Sequence, residues 1–177
     1  MLNKANAIGS FLEHIEQLSR LPLISDLEMN KLFGEEVATA LAELHRYNLE
    51  EQVCLHCENR CCQVANCEFY APQFSQCPIY DFRPVICRLH FCHRFHIDSN
   101  SLLQELSDIF FDCVLAADRY GSSRAQLFDC PPLARSSPDL VTMAAPWVNA
   151  ARAGSLNPEH AARLIRQKAE KYRTANN

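Results

Sequence analysis

Apolar residues near the start of the chain recur every three or four positions, the spacing of one helical face. Residues 3–19 follow this pattern, and Pro22 limits the helix that they predict. Residues 26–47 follow it again, with Ser25 or Asp26 as the N-cap. We therefore predict two core helices in the first 50 residues.

The clearest helical pattern covers residues 100–120. Ser101 and Gln104 resemble a capping box at its start, and Gly121 is a typical stop signal. Cys113 falls on the apolar side of this helix, which predicts a packed core thiol.

Two further helices are predicted after residue 137, each opened by a capping residue and a proline. Residues 137–139, Ser-Pro-Asp, open a short helix that Pro146 is expected to interrupt or kink. Residues 157–159, Asn-Pro-Glu, open a final helix that extends to Arg173. No strand pattern of comparable length occurs, so the predicted fold class is mainly α.

Between residues 54 and 96 the helical periodicity fades, and cysteine, proline and aromatic residues dominate. We interpret this segment as an irregular cysteine-rich metal-binding insert within one small helical domain, residues 1–177. Short helical turns are expected at 54–61 and 84–95. Because the segment has no regular apolar stripe, a metal held by several thiolates would supply its order.

The composition is that of a folded protein, with 48% hydrophobic and 21% charged residues among 177. Four glycines allow no dinucleotide-binding or P-loop motif, and a net charge of -4 gives no general attraction to nucleic acid. The longest uncharged apolar stretch of note, 140–151, is too short to cross a bilayer. Residues 1–21 lack the apolar core of a secretory signal, so we expect a soluble, cytoplasmic protein that binds neither nucleic acid nor membranes.

The cysteines are the main candidates for a functional site in this sequence. Thiols in the cytoplasm stay reduced, which favours metal ligation over disulfides. The predicted ligands form a C-x2-C-x3-C-C motif followed by three more cysteines: Cys54, Cys57, Cys61, Cys62, Cys67, Cys77 and Cys87. On one helical turn the first three would share a face. Zinc and iron–sulfur clusters both suit such a set, and the spacing does not choose between them.

Two arginines are predicted to lie beside the cofactor. A centre held by thiolates is anionic, so nearby cations and N–H donors should tune it. Arg83 and Arg88 lie inside the segment, and Pro84 fixes the backbone direction next to Arg83. Seven motif cysteines exceed the four that one structural zinc uses, which favours an iron–sulfur cluster, for example of the 4Fe–4S type.

Several other residues are alternatives as ligands. Imidazole also binds zinc and iron, but an exposed helical position is the simpler interpretation of each histidine. Cys92 fits a ligand and a buried thiol equally, and Cys130 fits a structural loop position. A thioredoxin-like redox site is disfavoured because the residues before Cys54 are helical and charged. The histidines concerned are His56, His90, His93 and His96.

The cysteine motif resembles that of the bacterial YkgJ-type cysteine cluster family, which is described as a zinc- or iron-chelating domain. The family pattern C-x2-C-x3-C-C, a further cysteine and C-x-I-Y-x-x-R-P-x-x-C-R matches residues 54–88. The link from Cys62 to Cys67 is short for the family, and Glu-Phe-Tyr follows Cys67 where the family has Pro-Phe-Leu. The resemblance implies metal or iron–sulfur binding, and the flagellin lysine methylase family is similar in carrying a related cluster.

Two functional hypotheses follow. The first is a metal-binding protein whose centre is structural, transfers electrons or binds a protein partner. The second is an enzyme with protein methyltransferase-like activity that uses the cluster region. The chain has no glycine-rich cofactor loop and no C-x3-C-x2-C order, which disfavours the enzyme.

Overall fold

The computed structural model describes residues 1–18, 23–58, 60–90, 95, 100–121 and 133–175. Within these ranges the protein is mainly α, as predicted, with ten α-helices, one short 3-10 helix at Tyr80–Phe82 and no strand. No helix in the described ranges is both long and apolar enough to cross a membrane. The α-helices are α1 Lys4–Leu18, α2 Asp26–Phe33, α3 Glu35–Glu50, α4 Val53–His56, α5 Arg60–Val64, α6 Val85–Leu89, α7 Asn100–Arg119, α8 Leu133–Ser136, α9 Pro138–Arg152 and α10 Pro158–Ala175.

The chain divides into two compact units. The N-terminal unit comprises Met1–Val53 and Phe82–Asp129, and the cysteine unit comprises Cys54–Asp81 and Cys130–Asn177. The division falls inside the predicted segment 54–96, so Cys54–Asp81 is grouped with the C-terminal helices.

The N-terminal unit is built around large apolar side chains of α1, α2, α3 and α7. Phe11 of α1 and Phe33 of α2 pack with their ring centroids 5.7 Å apart. Cys113 of α7 is fully buried in the same core, which confirms the predicted core thiol. The predicted N-terminal helix is confirmed by α1, whose buried side chains form one side of this core.

The second predicted helix is two helices in the structure. Gly34 separates α2 from α3, and its φ of 85° and ψ of 165° are accessible essentially to glycine alone. Its N–H donates to the carbonyl of Asn30, which closes α2. The prediction of one continuous helix was wrong because the apolar stripe continues across this break. At the start of α2, Ser25 is the N-cap and forms a capping box with Glu28.

Helix α7 matches the predicted range, but its N-terminus differs from the expected capping box. Ser101 lies inside the helix, and the amide of Gln104 donates to the Asp108 carboxylate one turn later at 2.8 Å. At the other end the N–H of Gly121, with a φ of 73°, donates to the carbonyl of Asp118. The predicted glycine stop is confirmed.

Helices α9 and α10 pack against each other in the cysteine unit. Helix α9 continues through Pro146, contrary to the expected interruption. A proline in a helix interior costs about 3 kcal/mol, and burial of one face of α9 offsets that cost. The buried residues of this face are Leu140, Ala144, Val148 and Ala151.

The predicted start signals of α9 and α10 are both confirmed in position. Ser137 is the N-cap of α9 and Pro138 its first residue, although the Ser137 side chain makes no capping hydrogen bond. Asn157 caps α10, with its side-chain oxygen accepting from the N–H of His160 at 3.0 Å. The helix then extends to Ala175, two residues beyond the predicted end.

Candidate metal centre

Two turns of the same form, each opened by a cysteine, shape part of the cysteine unit. In residues 67–70 and again in 77–80, the N–H of the closing tyrosine donates to the carbonyl of the opening cysteine, at 3.0 and 3.1 Å. The third residue of each turn, Phe69 or Ile79, is only 2% exposed. The Cys-x-x-Tyr sequence is therefore a structural repeat: the cysteine starts a turn and the apolar residue anchors it. This short repeat is visible in the sequence, but a search for helical spacing of apolar residues does not find it.

The end of α5 brings two cysteines together. Asn66 has a φ of 51°, its N–H donates to the carbonyl of Gln63, and the N–H of Cys67 donates to the carbonyl of Cys62. These two bonds and the left-handed residue define a Schellman motif, which juxtaposes the side chains at the positions of Cys62 and Cys67. The short link between these cysteines is thus the loop that a Schellman motif requires.

Cys62, Cys67 and Cys77 line one small cavity of about 20 Å³. A cavity of this volume is large enough for at least one water molecule. Apolar side chains, including Phe69 and Phe74, complete the wall. The structure therefore places three of the seven predicted ligands in the lining of one small cavity.

Burial raises the pKa of the Cys67 thiol to about 12, and the charges of Cys77 and Cys62 act in the same direction. A hydrogen bond from the backbone of Phe69 acts in the opposite direction and does not offset the burial. In the absence of a cation, Cys67 is thus a neutral thiol at pH 7. A cation among these sulfurs would favour their thiolate forms.

The first three cysteines of the motif do not share one helical face, contrary to the prediction. Helix α4 ends at His56, and Glu58 has a φ of 55°, so the chain leaves the helical path between Cys57 and Cys61. The Cys57 thiol donates to the carbonyl of Cys54 at 3.3 Å. All three cysteines are half-buried within the cysteine unit.

The remaining predicted site residues, Arg83, Arg88 and Cys87, belong to the N-terminal unit. Arg88 on α6 is 3% exposed, and its Nη1 donates to the Asp26 carboxylate at 2.5 Å. Half-buried Cys87 lies on the same short helix. Within its unit, Arg88 thus connects α6 to the start of α2, and its role beside a cofactor stays a prediction.

His45, which no sequence motif indicated, lies next to these arginines. Its Nε2 donates to the carbonyl of Arg88 at 3.2 Å. Burial, followed by the charge of Arg83, lowers the pKa of His45 to about 4, so the imidazole is neutral at pH 7. Its position beside the buried Leu41 and Leu44 on the inner side of α3 was the sequence feature that could have indicated a buried histidine.

The alternative ligands lie in different settings. His56 and His90 are exposed, which fits the simpler interpretation given to them. Burial raises the pKa of Cys113 to about 12, as expected of a core thiol. Cys92, His93, His96 and Cys130 lie outside the described residues.

Two arginines in the C-terminal helices bind the cysteine turns, and no motif in the sequence indicated them. Arg152, the last residue of α9, donates to the carbonyls of Glu68 and Tyr70. Arg166 of α10 donates to the carbonyl of Pro78. Each turn that carries a cavity cysteine is therefore held by one arginine.

The cysteines of the described ranges fit a metal by donor type, although their side chains are not yet arranged as the ligands of one ion. Thiolates are soft ligands that select zinc, copper(I) and iron–sulfur clusters. Among the described residues, no three His, Cys, Asp or Glu side chains converge as closely as the ligands of one ion. The cavity therefore supplies suitable donors, and a bound metal would have to draw the sulfurs together.

Comparison of the chain with protein-family models, with curated proteins and with solved structures found no match. The class that the fold and the site define is a mainly α protein with a thiol-lined cavity. Any narrower assignment depends on the chemistry of that cavity.

Proposed function

We propose that this protein binds a thiophilic metal in the cysteine unit, with Cys62, Cys67 and Cys77 as ligands. The observation that carries the proposal is that these three thiols line one cavity of about 20 Å³. The centre would order the cysteine turns and present them to a protein partner, or, as an iron–sulfur cluster, it would transfer electrons.

The electrostatics of the thiols support this proposal. Burial is the main cause of the raised pKa of Cys67, and the repulsion between grouped thiolates adds to it. A divalent cation offsets both costs, so metal binding would release protons and strengthen with rising pH. Three thiols with a purely structural role would bind no metal and release no protons.

Further ligands are available in the same unit. Cys54, Cys57 and Cys61 are half-buried and belong to the cysteine unit together with the three cavity cysteines. A structural zinc site needs four ligands, so one of these would complete it. The ligand role predicted for Cys87 remains part of the broader hypothesis.

Zinc is the first candidate because a single ion needs less space than a cluster. A zinc ion bound by thiolates at about 2.3 Å is smaller than a water molecule, whereas an iron–sulfur cluster contains several atoms. The number of cysteines favours an iron–sulfur cluster, whereas the space that each group needs favours zinc. We also place the protein in the cytoplasm, where thiols stay reduced and available to a metal.

The experiment is metal and acid-labile sulfide analysis of protein purified without oxygen. We expect about one zinc per chain, and its loss when Cys62, Cys67 and Cys77 are replaced together by serine. Cys113→Ala is the matched control, because this cysteine lies in the apolar core and should not affect the metal content.

Two results would change the account. If the wild-type protein contains iron and sulfide that the triple variant loses, the proposed site is correct but holds an iron–sulfur cluster instead of zinc. A wild-type protein without metal, or a triple variant with undiminished metal, would contradict the proposal.

A further inference from the structure

We infer that Arg152 and Arg166 are positioning residues for the thiol-lined cavity. Neither provides a soft ligand, but Arg152 donates to two backbone carbonyls and Arg166 to one in the turns that carry cavity cysteines. This inference depends on the proposed metal function and adds to it the parts of the C-terminal helices that fix the ligands.

Arg152 holds the turn that begins at Cys67. Its Nε donates to the carbonyl of Tyr70 at 2.9 Å, and its Nη2 donates to the carbonyls of Tyr70 and Glu68. The two carbonyls lie on either side of Phe69. One planar guanidinium therefore fixes the backbone just after Cys67, and bonds from a charged donor are stronger than neutral ones.

The same segment is tied to the C-terminal part of the unit at two more points. The two carboxylate oxygens of Glu68 accept from the N–H groups of Leu133 and Ala134, at 3.0 and 2.9 Å. The amide of Gln73 donates to the carbonyl of Arg152 at 3.2 Å. Residues 68–73 are thus held to α8 and α9 by side chains at both ends of the segment.

Arg166 holds the other turn less tightly. Its Nε donates to the carbonyl of Pro78 at 3.5 Å, the upper end of the range for such a bond. Pro78 directly follows Cys77 and lines the cavity itself. The contact is single and long, so its effect should be smaller than that of Arg152.

The contacts of these arginines can fix the positions of the cysteines that would bind the metal. A metal requires its ligands to converge, and groups that hold the ligands typically change affinity 10- to 100-fold when removed. Cys67 and Cys77 lie on separate turns, so their separation depends on whatever fixes each turn. The arginines fix both turns to the α9 and α10 pair, which packs through its own buried face.

The test is a titration of the full-length, reduced protein with Co²⁺, followed by displacement with Zn²⁺. Sulfur-to-cobalt charge-transfer absorption reports thiolate ligation directly. The variants are Arg152→Gln, Arg152→Lys and Arg166→Gln, with Arg163→Gln as the matched control on α10. Arg163 is exposed, three residues before Arg166.

We expect Arg152→Gln to weaken Co²⁺ binding about 10-fold and Arg166→Gln about 3-fold, with Arg163→Gln unchanged. Arg152→Lys should restore part of the affinity, because an ammonium can donate to one of the two carbonyls. The charge-transfer intensity at saturation should stay that of the wild type, since the ligands themselves remain.

The outcomes separate the inference from the proposal on which it rests. If the wild type binds Co²⁺ and Arg152→Gln binds it as tightly as Arg163→Gln, the positioning role is wrong while the metal centre stands. If Arg152→Gln loses affinity only in proportion to lost helical circular dichroism, its role is general stability and the inference fails. If the wild type gives no charge-transfer absorption, both the metal-binding proposal and the positioning role are wrong.

Discussion

The N-terminal unit and the cysteine-bearing part of the other unit are ordered by different interactions. In the N-terminal unit, helices meet through fully buried side chains such as Phe11 and Leu32. In Cys54–Asp81, short turns are held by carbonyl contacts to arginines and by a few buried residues such as Phe69 and Ile79. The first kind of order depends on apolar area, and the second depends on polar contacts at specific atoms.

This difference separates stability from metal binding. A core of large side chains should hold the N-terminal unit whether or not metal is present. The cysteine turns have less apolar area to bury, and their half-buried thiols repel one another when ionised. Substitutions in the N-terminal core should therefore lower stability equally with and without metal, whereas substitutions of the cavity cysteines should remove the stabilisation by metal.

The largest effect is expected from the N-terminal core. Phe11→Ala removes a fully buried ring that packs on Phe33 and should lower the free energy of unfolding by about 4 kcal/mol. Urea denaturation should show the same loss with and without zinc. Leu27→Ala, at a position 67% exposed on α2, is the control with little effect. A loss for Phe11→Ala that disappears with zinc would remove the distinction between the regions.

Acid should weaken the N-terminal unit through His45. Its pKa is about 4 in the folded protein, below the value of 6.5 that an unperturbed histidine has, so only the unfolded chain binds a proton between these values. Stability should therefore fall as the pH drops from 6.5 to 4, by up to about 3 kcal/mol. Denaturation of metal-free His45→Gln should be less dependent on pH over this range. An unchanged pH dependence would contradict the buried neutral histidine.

A pair of cysteine substitutions compares the two regions directly. Zinc at a hundred times its Kd should raise the wild-type free energy of unfolding by about 2.7 kcal/mol. Cys67→Ser should remove most of that increment, because Cys67 lines the cavity. Cys113→Ser should lower stability equally with and without zinc, because it buries a hydroxyl in the apolar core. A zinc increment that survives in Cys67→Ser would exclude this cysteine as a ligand.

The smallest predicted effect concerns the loop after α5. Asn66 has a φ of 51°, and alanine in this conformation costs about 1 kcal/mol. Asn66→Ala should lose that amount and bind Co²⁺ less tightly, whereas Asn66→Gly should keep both properties. Chemical denaturation and the cobalt titration measure the two. Equal affinities for both variants would show that the Schellman motif does not position Cys62 and Cys67.

Much of the fold was predictable because long helices leave a periodic record. The helices ending at Leu18, Arg119 and Ala175 follow their apolar stripes, and Asn157 caps where its sequence predicts. Two boundaries were not predictable from periodicity. The stripe continues across Gly34, where a backbone conformation ends the helix, and Pro146 is tolerated because the face of α9 is buried.

The site was predictable only as a set of residue types. The cysteine spacing selects Cys62, Cys67 and Cys77 together with four others, and local turns then decide which of them meet. The roles of Arg152 and His45 depend on contacts across 82 and 43 positions of the chain, which no local pattern records. The apolar anchors of the cysteine turns were also missed, because Phe69 and Ile79 follow neither helical nor strand spacing.

X-ray absorption spectroscopy of the zinc-loaded, reduced protein tests directly whether the cavity cysteines bind the metal. We expect sulfur atoms in the first shell at about 2.3 Å, with their number reduced when Cys62, Cys67 and Cys77 are replaced by serine. A first shell made only of oxygen and nitrogen, at about 2.0–2.1 Å, would contradict this expectation.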